Sequence, residues 1–142
     1  MANHVIAIRH NIEMAHRLFT TPGKCQQIHG HSMWVTMEFD GQLDDHGFMN
    51  GLEYGQIKKE YRGFLDTVFD HKVVLNEDDT FAQLLGTSEG SLHLPGLSPV
   101  QGDPTTENMA RWIAEWGTAN WSDTVKSVEV WETSVNMARW ER

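Results

Sequence analysis

Cys25-Gln26-Gln27-Ile28-His29-Gly30-His31 is the stretch that decides how the rest of the chain is read. Residues two apart in an extended strand point to the same side. His29 and His31 can therefore face one metal ion, with Gly30 between them letting the backbone come close. A third imidazole is available upstream at His16. Three histidines leave one position of a tetrahedral Zn2+ for water or substrate, the arrangement of catalytic rather than structural zinc. Cys25, the only cysteine of the chain, lies beside this cluster.

The flanking segments supply the strands this reading needs. His4 to Leu18 reads as a strand in which Ile6, Ile8, Ile12, Met14 and His16 share one parity. A histidine that ends an apolar row can be a packed core residue as well as a ligand. After a loop at Pro22-Gly23, a second strand runs to about Phe39. There Met33, Val35, Met37 and Phe39 alternate with Trp34, Thr36 and Glu38. His29 and His31 have the parity of the apolar set. All three imidazoles thus fall on the inward side of two neighbouring strands, which favours a metal over three separate core histidines.

Farther along, Asp40-Gly41 and Asp44-Asp45-His46-Gly47 mark turns, with His46 facing solvent. Glu53 to Phe69 has helical spacing at Ile57, Tyr61, Phe64, Leu65 and Val68. Asp70-His71 follows. This is either a carboxylate orienting an imidazole for proton transfer or a helix-ending surface pair. Glu77 to Gly102 is predicted as a long surface loop with a short helical turn near Phe81 to Leu85, and His93 within it has no evident partner.

A second helix opens at Asp103-Pro104-Thr105-Thr106-Glu107-Asn108. It buries Met109, Trp112, Ile113 and Trp116 and is expected to stop at Gly117. In a third strand, Val125 to Thr133, Glu132 shares a face with Val128 and Val130. A carboxylate there either reaches solvent at the strand end or anchors a ligand, since it can accept two parallel N–H bonds from an amino-pyrimidinone edge. Met137 to Arg142 closes the chain as a short strand. No repeat or linker divides residues 1–142, so one domain is expected.

Composition narrows the partners. A formal net charge of −9 argues against nucleic acid and against an anionic membrane surface, while a local pocket can still take a phosphorylated small molecule. One cysteine excludes an internal disulfide framework. The first residues have no basic segment leading into a long apolar run, and no stretch approaches the ~18 apolar residues of a spanning helix. The expected compartment is the cytoplasm.

Together these motifs resemble the 6-pyruvoyltetrahydropterin synthase superfamily. Within it, they resemble most the 6-carboxytetrahydropterin synthase branch of the queuosine and 7-deazaguanine pathway. Ala15-His16-Arg17-Leu18 is similar to the family's first zinc histidine. Cys25 through Ser32 is similar to its Cys-x3-His-Gly-His-Ser signature, and Phe69-Asp70-His71-Lys72, running to Leu75-Asn76, to its Leu-Asp-His-x-x-Leu-Asn. Pro104-Thr105-Thr106-Glu107-Asn108 and Glu132-Thr133 are similar to the two pterin-side motifs. Three residues between Cys25 and His29 resemble the carboxy-forming branch, whereas the pyruvoyl-forming branch has five.

The resemblance implies an α+β tunnelling fold (T-fold). Each subunit would be a four-stranded antiparallel sheet with two helices on one face, in the order ββααββ, assembled into homo-oligomers with active sites between subunits. It implies Zn2+ on His16, His29 and His31, and a pterin ring held by Glu132 with Thr105 and Thr106. Cys25 and the Asp70–His71 pair would carry protons. The implied reaction converts 7,8-dihydroneopterin triphosphate to 6-carboxytetrahydropterin, releasing acetaldehyde and triphosphate. The alternatives are 6-pyruvoyltetrahydropterin as product, or a non-catalytic pterin- or zinc-binding protein on the same scaffold.

Overall fold

The computed structural model describes residues 3–86 and 96–142. Two 13-residue strands, β1 (His4–His16) and β2 (His29–Gly41), form its axis and pair antiparallel along their whole length. Their alternation does what the sequence pattern requires. Ile8, Ile12, Met14 and His16 on β1 and Met33, Val35, Met37 and Phe39 on β2 are buried, while the intervening residues are exposed or half-buried. β5 (Val125–Trp131) pairs antiparallel with β2, and β6 (Met137–Glu141) with β5.

Two helices cover the buried face. α1 (Tyr54–Val68) starts where the Glu53 carboxylate accepts the N–H groups of Gly55 and Gln56, and it buries Ile57, Tyr61 and Leu65. The longer α3 (Thr106–Trp121) is capped by the Thr105 hydroxyl and buries Met109, Ala110, Ile113 and Ala114. Between the two helices and the sheet lies one continuous apolar cluster. On the opposite sheet face Arg9 stacks over Trp34, and Arg139 is paired with Glu38 and Glu129.

The expected four-stranded sheet with two helices needs correction. Among the described residues the sheet has six strands in the order β4-β3-β1-β2-β5-β6, and there are three α-helices. β3 (Val73–Asn76) and β4 (Leu97–Val100) add to the β1 edge in parallel. A short helix, α2 (Thr80–Leu85), stands where the helical turn near Phe81 was expected. Each added strand has four residues, too few for a visible alternation. β4 also contains Pro99, which suits only an edge strand. The middle of the expected Glu77–Gly102 loop, including His93, lies outside the described residues.

Gly117 does not end α3, which continues four residues further. A Cβ at Gly117 would lie 2.6 Å from the Met37 methyl carbon. The glycine is there so that the helix can approach β2 closely. Among the described residues no helix is long and apolar enough to cross a membrane.

Candidate metal centre and its cavities

His16 and His29 are direct partners in the β1–β2 ladder, and His31 lies opposite Met14, one inward position along. Their ring centroids are 4.7, 4.9 and 5.1 Å apart. The two-strand parity argument therefore brings together the three imidazoles it named.

Hydrogen bonds fix the tautomers. His16 Nδ1 is 2.8 Å from the Pro104 carbonyl oxygen, and His29 Nδ1 is 2.7 Å from that of Gln27. A carbonyl oxygen only accepts, so each Nδ1 carries the proton and each Nε2 keeps its lone pair. Backbone carbonyls orient metal-binding histidines in this way. The Nε2 atoms of His16 and His31 are buried without a hydrogen-bond partner. Buried nitrogens left bare in a polar cluster call for a cation.

Glu132 completes the group. It follows the last residue of β5, and its Oε1 lies 3.4 Å from His16 Nε2 and 3.2 Å from His31 Nε2. One donor atom from each of His16, His29, His31 and Glu132 lies within 4.8 Å of all the others. With metal–ligand bonds of about 2.0–2.1 Å, tetrahedral zinc ligands stand about 3.3 Å apart. The two Glu132 separations match that edge. These residues fit a tetrahedral divalent ion.

The charge state suits the same role. Burial pushes the His16 imidazole below its ordinary 6.5; its bond to Pro104 opposes this, and His29 and His31 add to it. Burial likewise lowers His31, against the pull of Glu132. Both rings are thus neutral and available as ligands near neutrality. Protons compete with a metal at these two rings only below 6.5. Zinc affinity, measured against a competing chelator, is expected to fall as pH drops below that value, because ligands must shed their protons to bind.

The start of α3 is braced against this cluster. Asp103 accepts the N–H and hydroxyl of Thr20 and the side-chain N–H of Asn76. Burial alone would raise its carboxyl, but these donors outweigh burial and hold it below the usual carboxylate range. The brace fixes Pro104, and through its carbonyl, His16.

A cavity of about 490 Å³ opens beside the metal group, lined by His16, Cys25, Thr105, Thr106, Glu107 and Glu132 among others. Cys25 is exposed there in a single 3-10 turn (Lys24–Gln26), and its sulfur is not in the ligand group. Thr105 spends its hydroxyl lone pair on capping α3, while the Thr106 hydroxyl donates to Glu107. Glu107, which the sequence reading placed at the helix start and within a pterin-side motif, also lines this cavity.

Asp70 and His71 are placed differently. His71 lines a separate cavity of about 460 Å³ with Glu13, His31, Ser32 and Lys72. Its backbone is left-handed, at φ 56°, where the turn after α1 meets β1. Asp70 accepts the Glu13 N–H and the His71 Nδ1–H, the latter at 2.6 Å. Burial works to raise the Asp70 carboxyl, but these two bonds outweigh it and hold the group lowered. The result is an ionised carboxylate that fixes the His71 ring through Nδ1.

The chain is 28% identical over 103 residues to 6-carboxy-5,6,7,8-tetrahydropterin synthase of Rickettsia felis, covering 72% of this chain and 71% of that one. It is 24% identical over 136 residues to the Haemophilus influenzae protein of the same name, covering 92% and 94%. It shares its fold with an uncharacterised Wolinella succinogenes protein, with a TM-score of 0.81 at 21% identity over 99% of both chains. Caenorhabditis elegans 6-pyruvoyl tetrahydropterin synthase also has this fold, with a TM-score of 0.72 at 21% identity over 100% of this chain and 97% of that one. A family model for 6-pyruvoyl tetrahydropterin synthase matches residues 5–142, and the chain belongs to that family.

Proposed function

We propose that this chain is a zinc-dependent, cytoplasmic carbon–carbon lyase. It converts 7,8-dihydroneopterin triphosphate and water to 6-carboxytetrahydropterin, acetaldehyde and triphosphate, as a step toward 7-deazaguanine nucleosides such as queuosine. The observation that carries this is the convergence of three imidazoles and a strand-end carboxylate beside a cavity that His16 and Glu132 line together with the lone thiol. A zinc ion on His16, His29 and His31 supplies Lewis acidity toward the substrate's side-chain oxygens.

The remaining roles fall to the chain's own groups. Glu132 takes the N–H edge of the pterin, with Thr106 and Thr105 beside it. Cys25 takes a proton from the substrate side chain. His71, oriented through Nδ1 by Asp70, returns one through Nε2. Cys25 and His71 line different cavities of one chain. A homo-oligomer in which the two cavities of neighbouring subunits face each other supports this division of labour.

The test is to incubate zinc-loaded protein with 7,8-dihydroneopterin triphosphate and identify the products by mass. Acetaldehyde with 6-carboxytetrahydropterin is the expected outcome. 6-Pyruvoyltetrahydropterin without acetaldehyde would assign the chain to the alternative outcome. Bound but unchanged substrate would make it a pterin-binding protein.

A further inference from the structure

Glu132 stands in two places at once: at the edge of the metal group and on the wall of the cavity. One carboxylate cannot serve both fully. Accepting two parallel N–H bonds from a pterin edge engages both oxygens, yet Oε1 is directed at His16 and His31, 3.4 and 3.2 Å from their bare Nε2 atoms. We propose that Glu132 is an exchangeable fourth metal ligand: it completes the tetrahedron of the three histidines in the resting protein and leaves it when a pterin ring takes its carboxylate. The pterin half of this rests on the function proposed above.

The surroundings permit the movement. Glu132 follows β5 in a tight turn held by its own N–H to Asn136 O and by Thr133 Oγ1, which accepts the N–H groups of Val135 and Asn136. The backbone is fixed while the side chain, 23% exposed, borders open cavity. Rotation about the side-chain bonds therefore suffices, and no strand need shift.

The exchange has a chemical effect. With the carboxylate attached, a divalent ion on three neutral imidazoles carries a net charge of +1; without it the charge is +2. The ion becomes the stronger Lewis acid only once a ring is seated. The two equilibria are then coupled, and reciprocity requires the ring to weaken the metal by the same factor that the metal weakens the ring.

Two measurements test this. The first is zinc affinity by chelator competition for the wild type, Glu132→Ala and Glu132→Gln, with circular dichroism of the metal-free proteins to confirm folding. Both variants should lose about tenfold or more, as even outer-shell changes commonly cost that much. Unchanged affinity in a folded variant overturns the ligand role. The second uses the wild type alone, with unsubstituted pterin, which has the ring but no side chain. Saturating pterin should weaken zinc by about 5- to 150-fold, the usual range of coupling between sites. Pterin that binds, by quenching of its fluorescence, while zinc affinity holds or rises overturns the exchange alone. Pterin that does not bind overturns both the exchange and the proposed substrate class, and leaves the first measurement to judge the ligand.

Discussion

Alanine at His31 is expected to weaken zinc by at least about 100-fold and to take turnover to background. The ring contributes one of three convergent nitrogens, and its Nε2 has no other partner. Counting Glu132, the variant keeps three donors. The carboxylate, however, is the one a pterin ring would remove, so two imidazoles would remain during turnover, too few to hold zinc. His31 is half-buried and its loss leaves the apolar cluster intact, so the metal-free variant should fold. Elemental analysis after dialysis against a chelator in the presence of saturating pterin decides the matter. Stoichiometric zinc in the dialysed variant would show that another ligand set holds the ion.

Cys25→Ala is expected to lower turnover by about 10² to 10⁴, the usual worth of a positioned proton-transfer group. Zinc content should not change, because the sulfur lies outside the ligand group. The exposed position in a short turn makes the substitution structurally mild. Loss of turnover with normal zinc is therefore a loss of chemistry rather than of fold. A fully active alanine variant would remove the thiol from the reaction, and loss of zinc would make it a ligand after all.

How much of this was legible in the sequence follows from the length of each signal. β1 and β2 are long enough for period-two alternation to declare both the strands and the side on which the histidines fall. The helices were clear for the same reason, at period 3.6. β3 and β4 are four residues each and carry no period, so the sheet read as four strands instead of six. Gly117 was misread because the residue that stops helices is also the residue that lets them pack closely. Glu132 was found as a carboxylate on an apolar row, but its distance to the histidines depends on β5 pairing with β2, which no local pattern reveals. Pro104 and Gln27 act through their carbonyls, which are the same in every residue and so are invisible to a reading of side chains.

The hydrogen bond from His16 to the Pro104 carbonyl links two jobs. The turn that presents Thr105 and Thr106 to the cavity also fixes one imidazole of the candidate metal group. Any attempt to retool the pocket for a differently shaped molecule by remodelling that turn will disturb the inorganic chemistry too.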